Sequence, residues 1–153
     1  MREGCAIMNN ISCIVAVDQN YAIGKGVGEL LFKNKTDMAF FNGFTQGKAV
    51  LVGYNTLQTL PKLTGRQIIP DPSKEMVLDL KHLIHNQRAS EVVVIGGDAT
   101  YKKYANQIES VYITIFNETV VDADKYFCYD LFEHLDERIV LFKTDEFRIE
   151  RWN

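Results

Sequence analysis

The chain has 153 residues, 46% of them hydrophobic and 24% charged, with a net charge of −3. That length suits one domain with one sizeable core, and the composition is that of an ordinary globular protein. The charge makes no electrostatic case for nucleic acid or an anionic membrane, and no apolar run is long enough to span a bilayer. The opening residues, "MREGCAIMNN", lack the apolar core of a signal peptide. Residues 1–9 read as an extension, and residues 10–153 as a single domain. Cys5, Cys13 and Cys128 are odd in number and widely spaced, so neither a disulfide framework nor a zinc site is expected. A reducing, cytoplasmic setting is the natural reading. His82 and His85 stand three apart without a further ligand cluster, so they read as solvated and no metal is expected.

"ISCIVAV" (11–17) is a short β-rich apolar run, the pattern of a buried strand. "DQNYAIGKGVGELLF" (18–32) carries three glycines and predicts a long loop of the kind that often holds function. In "NKTDMAFFNGF" the spacing predicts a helix over 35–44 with Phe40, Phe41 and Phe44 on one face. "KAVLVG" (48–53) is a second buried strand, and "YNTLQTL" begins a short helix. "RQIIP" (66–70) is a third strand, followed by the turn "DPSKE". "MVLDLKHLIHNQ" predicts a short strand and then a helix with Leu80, Leu83 and Ile84 inward. "EVVVIGG" (91–97), the helix "DATYKKYANQI" and the strand "SVYITIF" (110–116) follow. "RIVLFKTDEFRIERW" (138–152) reads as an antiparallel hairpin turning near Thr144 and Asp145. Strands alternating with helices imply a three-layer α/β fold. Its central sheet is mostly parallel, with about eight strands and a C-terminal antiparallel hairpin. Ligands in such folds bind beyond the carboxyl ends of the strands.

Three features at those strand ends suggest chemistry. Gly96 and Gly97 end a strand where a helix starts, so a ligand can approach bare backbone N–H groups; a tight βα turn needs glycine as well. Gly53 repeats the arrangement, with Asn55 or Thr56 either facing a ligand or capping the next helix. Asp37 shares the phenylalanine face. It is either a first-turn partner of the helix dipole or a carboxylate at the floor of a pocket lined by Phe41 and by Ile14 to Ala16.

Taken in order, "CIVAVDQNYAIGKGVGEL", Asp37 with Phe41, "VLVGYNTLQTL", "TGR", "VVVIGGDATY", "VYIT" and "DADKYF" resemble the dihydrofolate reductase family, over about residues 11–152. The resemblance implies reduction of 7,8-dihydrofolate to tetrahydrofolate, with hydride passing from NADPH to pterin C6 and a proton to N5. It implies that Asp37 is the catalytic acid holding the pterin's 2-amino and N3 edge, with Thr114 supporting it. Ile14, Val15 and Ala16 fall against the pterin and nicotinamide, Phe32 lies near the pterin, and Phe41 stacks on the rings. Leu60 and Leu63 clasp the benzoyl group, and Arg66 takes the glutamate α-carboxylate, where a guanidinium fork suits the ligand. On the cofactor side the resemblance implies Ala16, Ile23, Gly24, Gly53, Asn55, Thr56, Ile95, Gly96, Gly97, Asp98, Ala99, Thr100 and Tyr101, with a cis Gly96–Gly97 bond. It implies a monomer acting on a small-molecule folate, with no nucleic acid or membrane partner.

The chain departs from the family pattern in places. Phe32 stands where the family loop has tryptophan, which keeps the packing and loses an indole N–H. Tyr54 and Asn55 are neutral where basic residues often meet cofactor phosphates. The segment "PDPSKE" is short and places Asp71 near the expected 2′-phosphate site, with Lys74 close by in sequence. NADPH is the family's donor, and NADH is a second candidate because that phosphate site looks eroded. Two other readings stand beside the reductase. One is a same-fold reductase of another pterin- or pyrimidine-like substrate. The other is a catalytically weak or structural relative that binds nucleotide or folate without efficient turnover.

Overall fold

The structure, a computed structural model, describes residues 10–25, 29–30, 34–60, 63–86 and 90–153. The central strands are β1 (Ile11–Val17), β4 (Ala49–Val52), β5 (Gln67–Pro70), β6 (Val92–Val94), β7 (Ser110–Phe116), β9 (Arg138–Lys143) and β10 (Phe147–Trp152). They form one sheet in the order β5-β4-β6-β1-β7-β10-β9. The pairs from β5 through β7 are parallel, and β10 pairs antiparallel with both β7 and β9. The expected architecture is therefore present.

Two of the sequence expectations are corrected. Among the described residues the central sheet has seven strands rather than about eight, because residues 76–79 form no strand. The Leu78 backbone is satisfied by side chains instead: its N–H donates to the Tyr104 hydroxyl, and the Gln107 amide donates to its carbonyl. Residues 18–32 are not all loop. They contain β2 (Ala22–Lys25) and β3 (Glu29–Leu30), which join β8 (Lys125–Tyr126) in a second, three-stranded sheet. One of the two partners of β2, the strand β8, lies about a hundred residues away in sequence, so local pattern carries no sign of it.

Helices α1 (Lys35–Thr45) and α2 (Tyr54–Thr59) cover one face of the central sheet, and α3 (Leu80–His85) and α4 (Asp98–Tyr104) cover the other. The division follows strand alternation. Ile14, Val50, Val52, Val93 and Ile95 pack with Phe40, Phe41, Phe44 and Leu57. Cys13, Val15, Leu51 and Val94 pack with Leu80, Tyr101 and Tyr104. Each buried aliphatic side chain contributes about 1.5–3 kcal/mol, so both faces of β1, β4 and β6 hold the layers together. Cys13 and Cys128 are buried free thiols, and burial raises both, Cys128 to about 11. No helix among the described residues is long and apolar enough to cross a membrane.

Asp18 closes the carboxyl end of β1. Its side chain is buried, and it accepts from the N–H groups of Asn20 (2.8 Å), Ala22 (2.9 Å) and Val120 (2.8 Å). An unpaired carboxylate there would be costly, whereas these donors satisfy it and tie the start of β2 to the segment after β7.

Candidate active site at the carboxyl ends of the strands

Helix α1 begins where Asn34 caps it: its side-chain oxygen accepts from the Asp37 N–H at 3.0 Å. The cap sets the helical phase, and the phase brings Asp37, Phe40, Phe41 and Phe44 to the sheet side, each partly buried, while Met38, Ala39 and Asn42 face out. Asp37 lies in the first turn, where it faces the positive end of the helix dipole, and on the sheet side of α1 with the phenylalanines. The Thr114 hydroxyl, on β7, donates to Asp37 Oδ1 at 2.6 Å. Among the described residues no donor reaches Oδ2. Burial raises the Asp37 carboxyl above the usual carboxylate range, and the Thr114 hydrogen bond offsets part of that rise. The result is a half-buried acid with one oxygen held and the other available to a paired N–H edge.

Arg66 lies at the far end of α1. Its Nε donates to Thr45 Oγ1 (3.0 Å), Nη1 to the Thr64 carbonyl (2.8 Å) and Nη2 to the Asn42 carbonyl (2.8 Å). These acceptors are neutral, so among the described residues the guanidinium is positioned without being neutralised. Asn42 and Thr45 are five and eight residues beyond Asp37 in α1, so acid and guanidinium are separated by about 8–12 Å along the helix. Phe41 lies between them. The arrangement fits an elongated ligand with a polar N–H edge at one end and a carboxylate at the other.

The other expected residues sort by strand phase. Ile14 and Ile95 are buried on the α1/α2 face, where Leu60 is partly buried beside them. Ala16 packs partly buried against Phe116, Phe147 and Ile149, near Phe40. The Val15 side chain belongs to the opposite core, away from Asp37 and the α1 phenylalanines. Leu63 is partly buried outside these clusters. Phe32 lies outside the described residues. Ile23 and Gly24 belong to β2, and Gly24 accepts from the Asp124 N–H at 3.1 Å.

The glycine turns meet directly. The Gly53 N–H donates to the Gly96 carbonyl at 2.7 Å, and the Gly96–Gly97 peptide is cis, as the resemblance implies. Gly96 has φ +120°, a conformation that side chains rarely adopt, and a Cβ on Gly53 would collide with the Thr100 hydroxyl. Close approach of the two turns therefore explains part of the glycine pattern. What it leaves is a row of bare backbone flanked by the Thr56 and Thr100 hydroxyls, where the first turns of α2 and α4 converge; this fits a phosphate-bearing ligand. Asp98 and Ala99 begin α4, Asn55 is exposed in α2, and the buried Tyr101 hydroxyl donates to the Ile14 carbonyl at 2.7 Å. That bond links the glycine turn to the strand beneath Asp37.

Sequence reasoning found Asp71 but missed its partners, Lys103 and Tyr104, which lie more than thirty residues further on. A groove of about 660 Å³ lies at the opposite end of β1, lined by Ile11, Leu78, Gln107 and Leu135 among others. Two of its polar side chains are spent on backbone: Glu109 accepts from Asn10 and Ile11, and Gln107 bonds Leu78 and Leu80. Among the described residues no group of His, Cys, Asp and Glu is placed to hold a metal.

Fold and site together define an α/β protein with a half-buried acid and a cis glycine turn at its parallel strand ends. The family model for dihydrofolate reductase matches residues 10–138, and the chain belongs to that family. It is 25% identical over 144 residues to the dihydrofolate reductase of Buchnera aphidicola subsp. Baizongia pistaciae, covering 88% of this chain and 85% of the relative. It is 29% identical over 125 residues to that of Haemophilus influenzae, covering 76% and 77%. A dihydrofolate reductase from Enterococcus faecalis, solved with NADP(H) and RAB-propyl, shares the fold with a TM-score of 0.69 at 18% identity, covering 95% of this chain and 96% of that one.

Proposed function

We propose that this chain reduces 7,8-dihydrofolate to tetrahydrofolate, supplying one-carbon metabolism in the cytoplasm. The observation that carries the reading is the Asp37–Thr114 pair in an apolar cleft, with the un-neutralised Arg66 at the other end of α1. Asp37 binds the 2-amino and N3 edge of the pterin, and the Thr114 hydroxyl holds the carboxylate in place. Phe41 stacks on the ring system, and Leu60 and Leu63 clasp the benzoyl group. Arg66 takes the glutamate α-carboxylate. Ile14 and Ala16 exclude water from the reacting face, which strengthens the charge of Asp37 on the bound pterin and favours protonation at N5 from water. Gly53, Thr56, Gly96, Gly97 and Thr100 would hold a reduced nicotinamide dinucleotide, by family default NADPH, which supplies the hydride to C6. In the Enterococcus faecalis relative the dinucleotide present is NADP(H).

Loss of reduced-nicotinamide absorbance on adding dihydrofolate tests the reading. Turnover is expected in the wild type and a drop of about 10²-fold or more in Asp37→Asn. Absence of turnover with both NADPH and NADH would exclude the activity. Binding of folate and dinucleotide without turnover would favour a non-catalytic relative, and turnover of another pterin or pyrimidine alone would favour a same-fold reductase of different specificity.

A further inference from the structure

Asp71 follows β5 directly, and its N–H donates to the Val52 carbonyl at 2.8 Å. Val52 pairs with Pro70, so Asp71 stands beside Gly53, which is bonded in turn to Gly96. The ends of β5, β4 and β6 thus present Asp71, Gly53 and Gly96 in a row. The Asp37 cleft lies on the other side of that row, at β1 and β7. A dinucleotide that brings its reactive ring to Asp37 and its diphosphate to the glycine turns has its adenosine end toward Asp71.

Asp71 is already engaged. Lys103 Nζ meets both of its carboxylate oxygens at 2.9 Å and also bonds the Ser73 carbonyl. The Tyr104 hydroxyl donates to Asp71 Oδ1 at 2.8 Å. The Lys103 and Asp71 side chains are 13% and 12% exposed, so solvent screens this pair far less than an ordinary surface ion pair. Burial and the neighbouring Asp71 leave the Tyr104 hydroxyl at about 12, so it stays a donor throughout the working range. A 2′-phosphate adds about 1.5–2 negative charges. To gain Lys103 it must separate the pair and leave a shielded carboxylate beside itself. A free 2′-hydroxyl meets no such obstacle and can donate to a carboxylate.

We propose that Asp71, by holding Lys103, sets the cofactor selectivity of this chain: the pair cancels the preference for a 2′-phosphate, and NADH binds on a par with NADPH. The proposal rests on the reductase reading and modifies its NADPH default. Calorimetric titration of the full chain with each reduced dinucleotide tests it. The wild type is expected to bind the two within about threefold. Asp71→Asn keeps the side-chain shape and frees Lys103; it is expected to tighten NADPH by about tenfold, one charge-assisted contact, and to leave NADH within about twofold. Adding Lys103→Gln to that variant is expected to abolish the gain. A ratio unshifted by Asp71→Asn, or a wild-type preference for NADPH of tenfold or more, overturns the proposal. The second criterion stands even if the variant fails to fold. Binding of neither dinucleotide overturns the reductase reading as well, whereas binding with an unshifted ratio overturns the selectivity proposal alone.

Discussion

At the α1 end of the strand ends, Asp37 has a hydroxyl for a partner and Arg66 has neutral oxygens. At the β5 end, Lys103 has both oxygens of Asp71. Both regions shield their charges partly from water, yet among the described residues one leaves them without an opposite charge and the other cancels them internally. The contrast follows from which side chains each element supplies. Helix α1 brings one acid and three aromatics to its sheet side, and among the described residues no cation pairs with Asp37. The turn after β5 and the last turn of α4 bring opposite charges, and in partial burial opposite charges close on each other first. Charge in sequence thus gives no measure of charge available for binding.

The largest test of this contrast is Asp37→Asn, which removes the free acid. Besides the loss of turnover, its pH behaviour is informative. The folded state holds the Asp37 proton more tightly than the unfolded chain, because burial raises the native pKa. The stability it contributes is therefore present below the ordinary carboxylate range and lost as pH rises through the raised native value. Asn cannot ionise, so thermal melts should show the variant gaining on the wild type from acidic to neutral pH; parallel curves would mean that Asp37 titrates normally. Arg66→Lys should come next, raising KM for dihydrofolate by about tenfold with little change in kcat, because a point charge replaces a planar fork. Equal loss in kcat and kcat/KM would place Arg66 in the chemical step instead. Thr114→Val removes the hydroxyl that donates to Asp37. The bend in the pH profile of kcat/KM should move upward, since that hydrogen bond lowers the Asp37 pKa; an unmoved bend would separate Thr114 from the acid. The smallest effect is expected from Tyr101→Phe, which leaves the Ile14 carbonyl without its buried donor. Denaturant unfolding should register a loss of about 1–3 kcal/mol. A smaller value would mean that the carbonyl finds another donor.

Much of this molecule was legible in the linear pattern. Ile11–Val17 and Ser110–Phe116 read as buried strands because their apolar runs are short and β-branched, and both occur with the expected bounds. Asp37 was placed correctly among the phenylalanines because helical phase depends on local spacing alone. Family membership was visible in the order of motifs, and the family model bears it out. Residues 76–79 misled because Met76, Val77 and Leu78 look like a strand, whereas the partners that satisfy that backbone are Tyr104 and Gln107. The strand β2 hid in a glycine-rich stretch because one of its two partners, β8, lies far along the chain.

The sequence by itself determined which segments are apolar, where helices begin, and which side chains share a face, since each depends on neighbours a turn or a strand step away. Tertiary structure alone decided which distant groups meet. The Thr114 hydroxyl reaches Asp37 across 77 positions, and Lys103 reaches Asp71 across 32. Hydrogen bonds and ion pairs act over a few ångströms of space, and only the folded sheet order brings those side chains that close.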